Sequence, residues 1–202
     1  MKAEAFWKKR IQDHEPRIYS LGEQRGCSVL IPLLEKDGEK QVLFEVRANL
    51  NQQPGDICLP GGMQEKCETE LEAALRECSE ELLLSKENIS VLGRGDIFLN
   101  GNLRIHSFAA ELKNYTGSFN QEVKEVFTVP LSFFVQTEPE KYLVERRAEP
   151  AADFPYENIQ GGRDYKWRSY KTDVYFYQWQ ERTIWGITAN VMRSFARQLK
   201  EG

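Results

Sequence analysis

The chain has 202 residues, 41% of them hydrophobic and 29% charged, enough apolar material for one globular domain with a sizeable core. Its formal net charge of −4 argues against a dominant nucleic-acid or anionic-membrane surface, and no apolar run approaches the length of a membrane span. The start, MKAEAFWKKRIQDHEP, lacks the hydrophobic region of a secretory signal, and Cys27, Cys58, Cys67 and Cys78 form no C-x-x-C pair, a composition that suits a cytoplasmic protein with reduced thiols.

Residues 4–18 read as a charged amphipathic helix anchored by Phe6, Trp7 and Ile11, an extension over residues 1–20 ahead of one domain spanning 21–202. SVLIPLLE (28–35) and KQVLFEVRA (40–48) follow as two strands, joined through Lys36-Asp37-Gly38 in a hairpin. The polar NLNQQPG leads to a short apolar DICLP and then to Gly61-Gly62. The best-defined helix comes next. Thr69 and Glu72 make a capping box, so it starts at Glu70. Strand candidates ISVLGRG, FLNGNLRIHSFAAEL and VFTVPL come after it, with His106 at a strand end. VYFYQW (174–179) and TIWGIT (183–188) form another hairpin, in which Trp185 and Gly186 serve packing before a last helix. That helix runs from Ala189 to Lys200 and buries Val191, Met192, Phe195 and Leu199. The pattern suggests a mixed sheet covered by helices.

At roughly 100° per residue, Leu71, Ala74, Leu75, Cys78 and Leu82 form one apolar stripe on the first of these helices. Glu77 and Glu81 share one flank of the stripe, Glu80 lies beside them, and Arg76 is the close cation. Like charges four apart cost about 0.2–0.5 kcal/mol, and exposed anions in the last turns oppose the helix dipole by about 0.3–1 kcal/mol each. A hard divalent cation would reverse both signs, since Mg²⁺ takes oxygen ligands. A solvated acidic face is the plain alternative, and periodicity leaves the two even. Two histidines, His14 and His106, cannot build a zinc site alone, and neither a G-x-S-x-G elbow nor a Walker A loop occurs.

Spacing separates the alternatives. Gly62, five residues, Glu68, seven residues, then Arg76-Glu77-Cys78-Ser79-Glu80-Glu81-Leu82-Leu83-Leu84 resembles the Nudix box, G-x5-E-x7-R-E-U-x-E-E-x-G-U, at all six fixed polar or glycine positions up to Glu81. Cys78 fills an aliphatic slot, which suits a buried thiol. Leu83 stands where the box has glycine. A left-handed leucine costs about 1–2 kcal/mol, so the helix is expected to run on and end near Ser85. The resemblance implies an α/β (α+β) fold, a Nudix-type α/β/α sandwich with a mixed central sheet and a loop-helix-loop. It implies Mg²⁺-dependent hydrolysis, with Mn²⁺ as a substitute, of small-molecule nucleoside diphosphate derivatives. Glu77 and Glu81 become the principal metal ligands, Glu80 assists, and the Gly61 carbonyl completes the site, while Arg76 orients the carboxylates through a salt bridge with Glu68. Glu122, in NQEVKEVF, stands where relatives place a late acidic residue, as base or extra ligand; an exposed glutamate is the alternative, and Glu125 ranks behind it.

VLFEVRANLNQQPGDICLPGG resembles the coenzyme A diphosphatase branch of that family, whose signature joins L-x-x-x-R to P-G-x3-[FL]-P-G-G. Leu43 to Arg47, Pro54, Gly55 and Leu59 to Gly62 fit it. The resemblance continues in EVKEVFTVPLSFF and YFYQWQERTIWGITANVM and spans about residues 28–196. It implies coenzyme A or a derivative as substrate, with Arg47, Gly61 and Gly62 at the substrate, and a homodimer. Relatives carry basic residues where this chain has Asn51, Gln52 and Gln53. That keeps open another nucleoside diphosphate derivative (ADP-ribose, a dinucleotide or a nucleotide) or a non-catalytic ligand-binding domain. In GGRDYKWRSYK (161–171), Arg163 is a further candidate for a substrate phosphate, against an edge strand with solvated cations.

Overall fold

Asp37 and Gly38 both take positive φ, 54° and 77°, as a two-residue type I′ turn requires. This turn sets the first hairpin of the computed structural model, which describes residues 24–49 and 53–201; the helix expected over 4–18, and Asn51 and Gln52, lie outside them. Strands β1 (Arg25–Lys36) and β2 (Glu39–Arg47) pair antiparallel over Leu33–Lys36 only. Beyond that they diverge, and two short strands fill the fork: β3 (Ile57–Cys58) on β2 and β4 (Gly61–Met63) on β1. β5 (Ile89–Asn100) and β6 (Leu103–Leu112) form a hairpin with β6 parallel to β1, and β7 (Val123–Pro130) pairs antiparallel with β2. The result is a seven-stranded mixed sheet, β3-β2-β1-β6-β5, with β4 on β1 and β7 on β2.

Both faces of this sheet are covered, which is why β2 reads as a near-continuous apolar run. On one side Leu30, Leu43, Phe108 and Ala110 pack beneath helix α1 (Glu70–Glu81) through Ala74, Cys78 and Leu82. On the other, Ile31, Val42 and Phe44 pack with Phe134 of α2 (Leu131–Gln136) and with Val191 and Met192 of α3 (Gly186–Glu201). A second, antiparallel sheet of β8 (Glu140–Arg146), β9 (Tyr170–Trp179) and β10 (Arg182–Trp185) closes that layer through Tyr177 and Ile184. The architecture is the expected helix–sheet–helix sandwich, with this extra sheet beside α3.

Helix α1 begins where its capping box places it. Thr69 Oγ1 accepts from the Glu72 N–H, and the Glu72 carboxylate accepts from the Thr69 N–H. Its other end differs from expectation. The helix stops at Glu81 rather than near Ser85, because Leu83 does adopt the left-handed conformation, with φ 47°. The Leu84 N–H donates to the Ser79 carbonyl at 3.1 Å, closing a Schellman motif that buries Leu82 and Leu84 and leaves Leu83 exposed. Burial of two leucines outweighs the strain in one.

Other differences are smaller. α3 starts at Gly186, three residues before Ala189, and Leu199 at its far end is exposed. Trp185 is also exposed, stacked on Phe176 on the outer side of the second sheet. His106 lies inside β6 and is buried, not at a strand end. Neither α2 nor β8 stands out in the sequence: six residues are too few for helical periodicity, and all seven residues of β8 are exposed. Replacing Leu83 with glycine is expected to stabilise the protein by about 1 kcal/mol, because glycine takes this conformation without strain. A urea midpoint that fails to rise would show that the exposed Leu83 side chain contributes packing of its own.

Candidate active site

The fork between β1 and β2 brings Gly61 and Gly62 against the last turns of α1. A Cβ on Gly61 (φ 156°) would fall 2.3 Å from the Ser28 carbonyl oxygen, and one on Gly62 would fall 2.3 Å from Glu77 Oε1. Gly61 has no room for a side chain against the β1 backbone, and a side chain at Gly62 would displace the Glu77 carboxylate. The Gly61 N–H donates to Glu81 Oε2 at 2.9 Å. Adjacent glycines therefore hold two carboxylates that project from successive turns of the helix.

Arg76 fixes the outer side of this group. Its Nε and Nη2 donate to the two oxygens of Glu68 at 2.8 and 3.0 Å, a fork–fork pair whose acceptor also receives the Glu65 N–H. Nη1 donates to Glu77 Oε1 at 2.9 Å and, more weakly, to Glu80 Oε2 at 3.4 Å, while Nη2 also reaches the Met63 carbonyl at 3.2 Å. The bond from Arg76 holds the Glu68 carboxyl below its ordinary range. Glu80 is the exposed member, at the rim.

Beneath the helix end lies a carboxylate that sequence reasoning missed. Leu43, Glu45 and Arg47 alternate along β2 on the side that faces α1. Glu45 is 1% exposed, and among the described residues its Oε1 has no hydrogen-bond partner. Burial first, then the charge of Glu81, raises its pKa well above the carboxylate range, against the pull of Arg47. Burial likewise pushes Glu81 up to about 8, opposed by the Gly61 N–H and reinforced by Glu77 and Glu122. Glu77 is raised by burial despite Arg76. One clue to Glu45 was visible, since a lone glutamate inside VLFEV interrupts a strand apolar on both faces.

The remaining candidates fall at different places. Glu122 is exposed beside the group: the Ala48 N–H donates to its carbonyl at 2.9 Å, its own N–H donates to Asn120 Oδ1, and its charge acts on Glu45, Glu77 and Glu81. The Asn120 N–H in turn caps the Glu81 carbonyl at 2.8 Å. Glu125 instead pairs with Arg182. Arg47 anchors the upstream loop, its carbonyl accepting from the Gly55 N–H and its N–H donating to the Asp56 carbonyl, both at 3.0 Å. The Arg47 Nε–H is buried without a hydrogen-bond partner among the described residues. The Arg163 guanidinium stacks over Tyr156, 5.0 Å from the ring centre, next to a cluster that includes Phe154, Tyr165 and Trp167.

These donors suit a hard divalent cation. They are carboxyl oxygens whose charge a bound cation would stabilise against burial, and they include one buried oxygen with no partner among the described residues. Among the described residues, no three such side chains already converge as a cation cage. Glu77 is turned to Arg76 and Glu81 to Gly61, so an ion would draw them out of those bonds. Cavities of about 450 and 480 Å³ lie elsewhere, at the Lys36–Gln41 end of the sheet and on the outside of β8–β10. The chemistry of the donors marks the site, not the size of a hollow.

Known proteins resemble the chain over the same region. The NUDIX domain family model matches residues 24–154. The chain is 35% identical over 141 residues to the peroxisomal coenzyme A diphosphatase NUDT7 of Mus musculus, covering 67% of this chain and 59% of that protein, so it spans less than two thirds of that relative. It is 27% identical over 181 residues to a Nudix hydrolase NudL of Photorhabdus laumondii, described as uncharacterized, covering 87% of this chain and 86% of the relative. The crystal structure of a MutT/nudix family protein from Enterococcus faecalis aligns with a TM-score of 0.54 over 98% of this chain and 69% of that one; at 15% identity this is a likeness of fold.

The raised Glu81 carboxyl has a consequence for stability. A group whose folded pKa lies above its ordinary 4.5 contributes stability that is complete below 4.5 and is lost as pH rises through about 8. Between about pH 5 and pH 9 the metal-free protein is expected to lose thermal stability relative to Glu81→Gln, whose side chain stays neutral throughout. Parallel melting temperatures for the two proteins across that window would refute the raised carboxyl.

Proposed function

The chain belongs to the Nudix family of hydrolases, which act on phosphoric anhydride bonds, and from that premise we propose that it cleaves the diphosphate of coenzyme A or a coenzyme A derivative, giving 4′-phosphopantetheine and adenosine 3′,5′-bisphosphate. The observation that carries this reading is the placing of the Pro54-Gly55 turn. Its backbone bonds to Arg47, so residues 53–62 of the segment resembling the coenzyme A diphosphatase signature lead from the end of β2 to Gly61, Gly62 and the acidic helix.

Nudix hydrolases generally need a divalent metal ion, usually Mg²⁺, which when bound neutralises diphosphate charge and makes a bound water more acidic. In this reading Glu77 and Glu81 would hold the ion from the helix, Glu80 would assist from the rim, and the Gly61 carbonyl would add an oxygen. Glu45 contributes its unpartnered oxygen from β2. Arg76 is a positioning residue, since its two bonds to Glu68 fix the guanidinium that in turn orients Glu77. Water attacks one phosphorus, the bridging P–O bond breaks, and the proton of the water passes to a carboxylate. Glu122 is the proposed acceptor, because it stands exposed at the lip with its backbone anchored to Ala48. Arg47, and more remotely Arg163, supply positive charge for the substrate's phosphates.

The run Asn51-Gln52-Gln53, without cations, favours a second reading: the same cleavage on ADP-ribose, a dinucleotide or a nucleotide. A purely binding role is disfavoured by the cost of keeping Glu45 buried with Glu77 and Glu81 half-buried beside it. Four free thiols suit a reducing, cytoplasmic setting, although the mouse relative is described as peroxisomal. No described helix is long and apolar enough to cross a membrane.

Incubation with Mg²⁺ and a panel of coenzyme A, ADP-ribose, NADH and nucleotides is expected to consume coenzyme A fastest and release the two products above. Faster loss of ADP-ribose would transfer the assignment to the second reading, and no turnover with either Mg²⁺ or Mn²⁺ would remove both. Glu81→Gln is expected to lower turnover by a hundredfold or more, on the order seen when metal sites are disturbed. It should also abolish the rise in melting temperature that Mg²⁺ gives the parent. Glu45→Gln should weaken Mn²⁺ binding, measured by electron paramagnetic resonance, about tenfold without unfolding the protein; unchanged affinity would exclude Glu45 from the site.

A further inference from the structure

Strand β8 is the outer strand of the three-stranded sheet. One of its edges pairs with β9, from Glu140↔Phe176 to Arg146↔Tyr170, and among the described residues no strand pairs with the other. All seven residues are exposed, including Tyr142 at 54%, Leu143 at 60% and Val144 at 44%. On the outward face Tyr142 and Val144 join Val174, Phe176 and Trp185 around a shallow groove of about 480 Å³. The Tyr142 ring meets Phe176 edge-on at 5.4 Å, and Phe176 stacks on Trp185 at 5.8 Å. An open edge carrying an apolar centre is a template for another strand.

Charges on an edge strand usually serve to repel such partners. Here their order does the opposite. The strand reads Glu140-Lys141-Tyr142-Leu143-Val144-Glu145-Arg146, with the apolar residues central and a pair of opposite charges at each end. Side chains of directly opposed residues in a sheet must lie on the same face, so a second copy running antiparallel can shift only in steps that keep this parity. Centred on Leu143, the pairing sets Glu140 against Arg146, Lys141 against Glu145 and Tyr142 against Val144. Moved to centre on Tyr142, it opposes Glu140 to Val144 and Lys141 to Leu143. Moved to centre on Val144, it opposes Lys141 to Arg147 and Leu143 to Glu145. One register alone matches every charge of the strand with its opposite. Pro139, which lacks an N–H, ends the ladder on one side.

We propose that two copies of this chain associate through antiparallel pairing of β8 with β8, centred on Leu143, joining the two small sheets into one of six strands. The union sets the Tyr142 of each copy beside the Val144 of the other and brings the two apolar grooves together on one continuous face. Seven strand residues per copy form a small contact beside the roughly 20–30 per side of a standard interface, so the dimer is weak, with dissociation in the micromolar range. It lies outside the acidic site and does not depend on the substrate assignment.

Sedimentation velocity of the full chain from about 1 to 500 μM tests the proposal across that affinity range. The parent is expected to shift from monomer to dimer as concentration rises. Glu140→Arg alone places like charges at both ends of the pairing, as does Arg146→Glu alone, and each should weaken association about tenfold or more, within the range of measured interfacial charge-pair couplings. The double variant Glu140→Arg/Arg146→Glu restores opposite charges and should recover the parent affinity. Circular dichroism and hydrolytic activity, expected unchanged in all three, separate loss of pairing from loss of fold. A monomer at every concentration would overturn the proposal. So would a dimer that ignores the single substitutions, or one that the double variant fails to recover.

Discussion

The structure is organised around three carboxylates that it desolvates together. Glu45, Glu77 and Glu81 converge on the end of one helix, each with its ionised form disfavoured by burial. Such crowding is expensive without a cation, and the fold offsets part of the cost by giving Glu77 and Glu81 one specific donor each. Gly61 answers Glu81, Arg76 answers Glu77, and Glu68 holds Arg76 still. Glu45 Oε1 is buried with no hydrogen-bond partner among the described residues. The bonds from Gly61 and Arg76 hold Glu81 and Glu77 away from each other, so the carboxylates are crowded and desolvated without closing into a cation cage among the described residues.

Much of the surrounding architecture follows from that constraint. β1 and β2 must part early so that β3 and β4 can enter between them and deliver bare glycine backbone to the helix. The helix must stop at Glu81 so that its last carbonyl can meet the Asn120 N–H, which draws Glu122 to the rim. The Schellman turn that stops it is made by leucines, with Leu84 tucked under and Leu83 bearing the strained torsion. The C-terminal layer contributes from the far side. Thr188 Oγ1 donates to the Ile57 carbonyl at 3.1 Å, tying α3 to β3 and steadying the lip on which a substrate would rest.

The second sheet stands apart from this chemistry. Its inner residues Tyr177 and Ile184 complete the core, while its outer face keeps aromatic side chains in solvent. One element therefore serves packing on one side and offers recognition on the other, and the alternation of side chains along a strand is what allows both.

Features carried by neighbours in the chain were legible from the amino acids alone. The capping box at Thr69, the turn at Asp37-Gly38, the apolar stripe of α1 and the spacing from Gly62 to Glu81 each depend on contacts within a few residues or on a fixed period. Tertiary contacts decided the rest. Whether Leu83 turns left-handed depends on the burial of Leu84, and whether Glu45 is a surface residue or a buried neighbour of Glu81 depends on which layer covers β2. Whether β8 is an edge depends on which strand it finds. Each of these outcomes is a balance between a local preference and the area a distant segment removes from water, and sequence records only the first of the two.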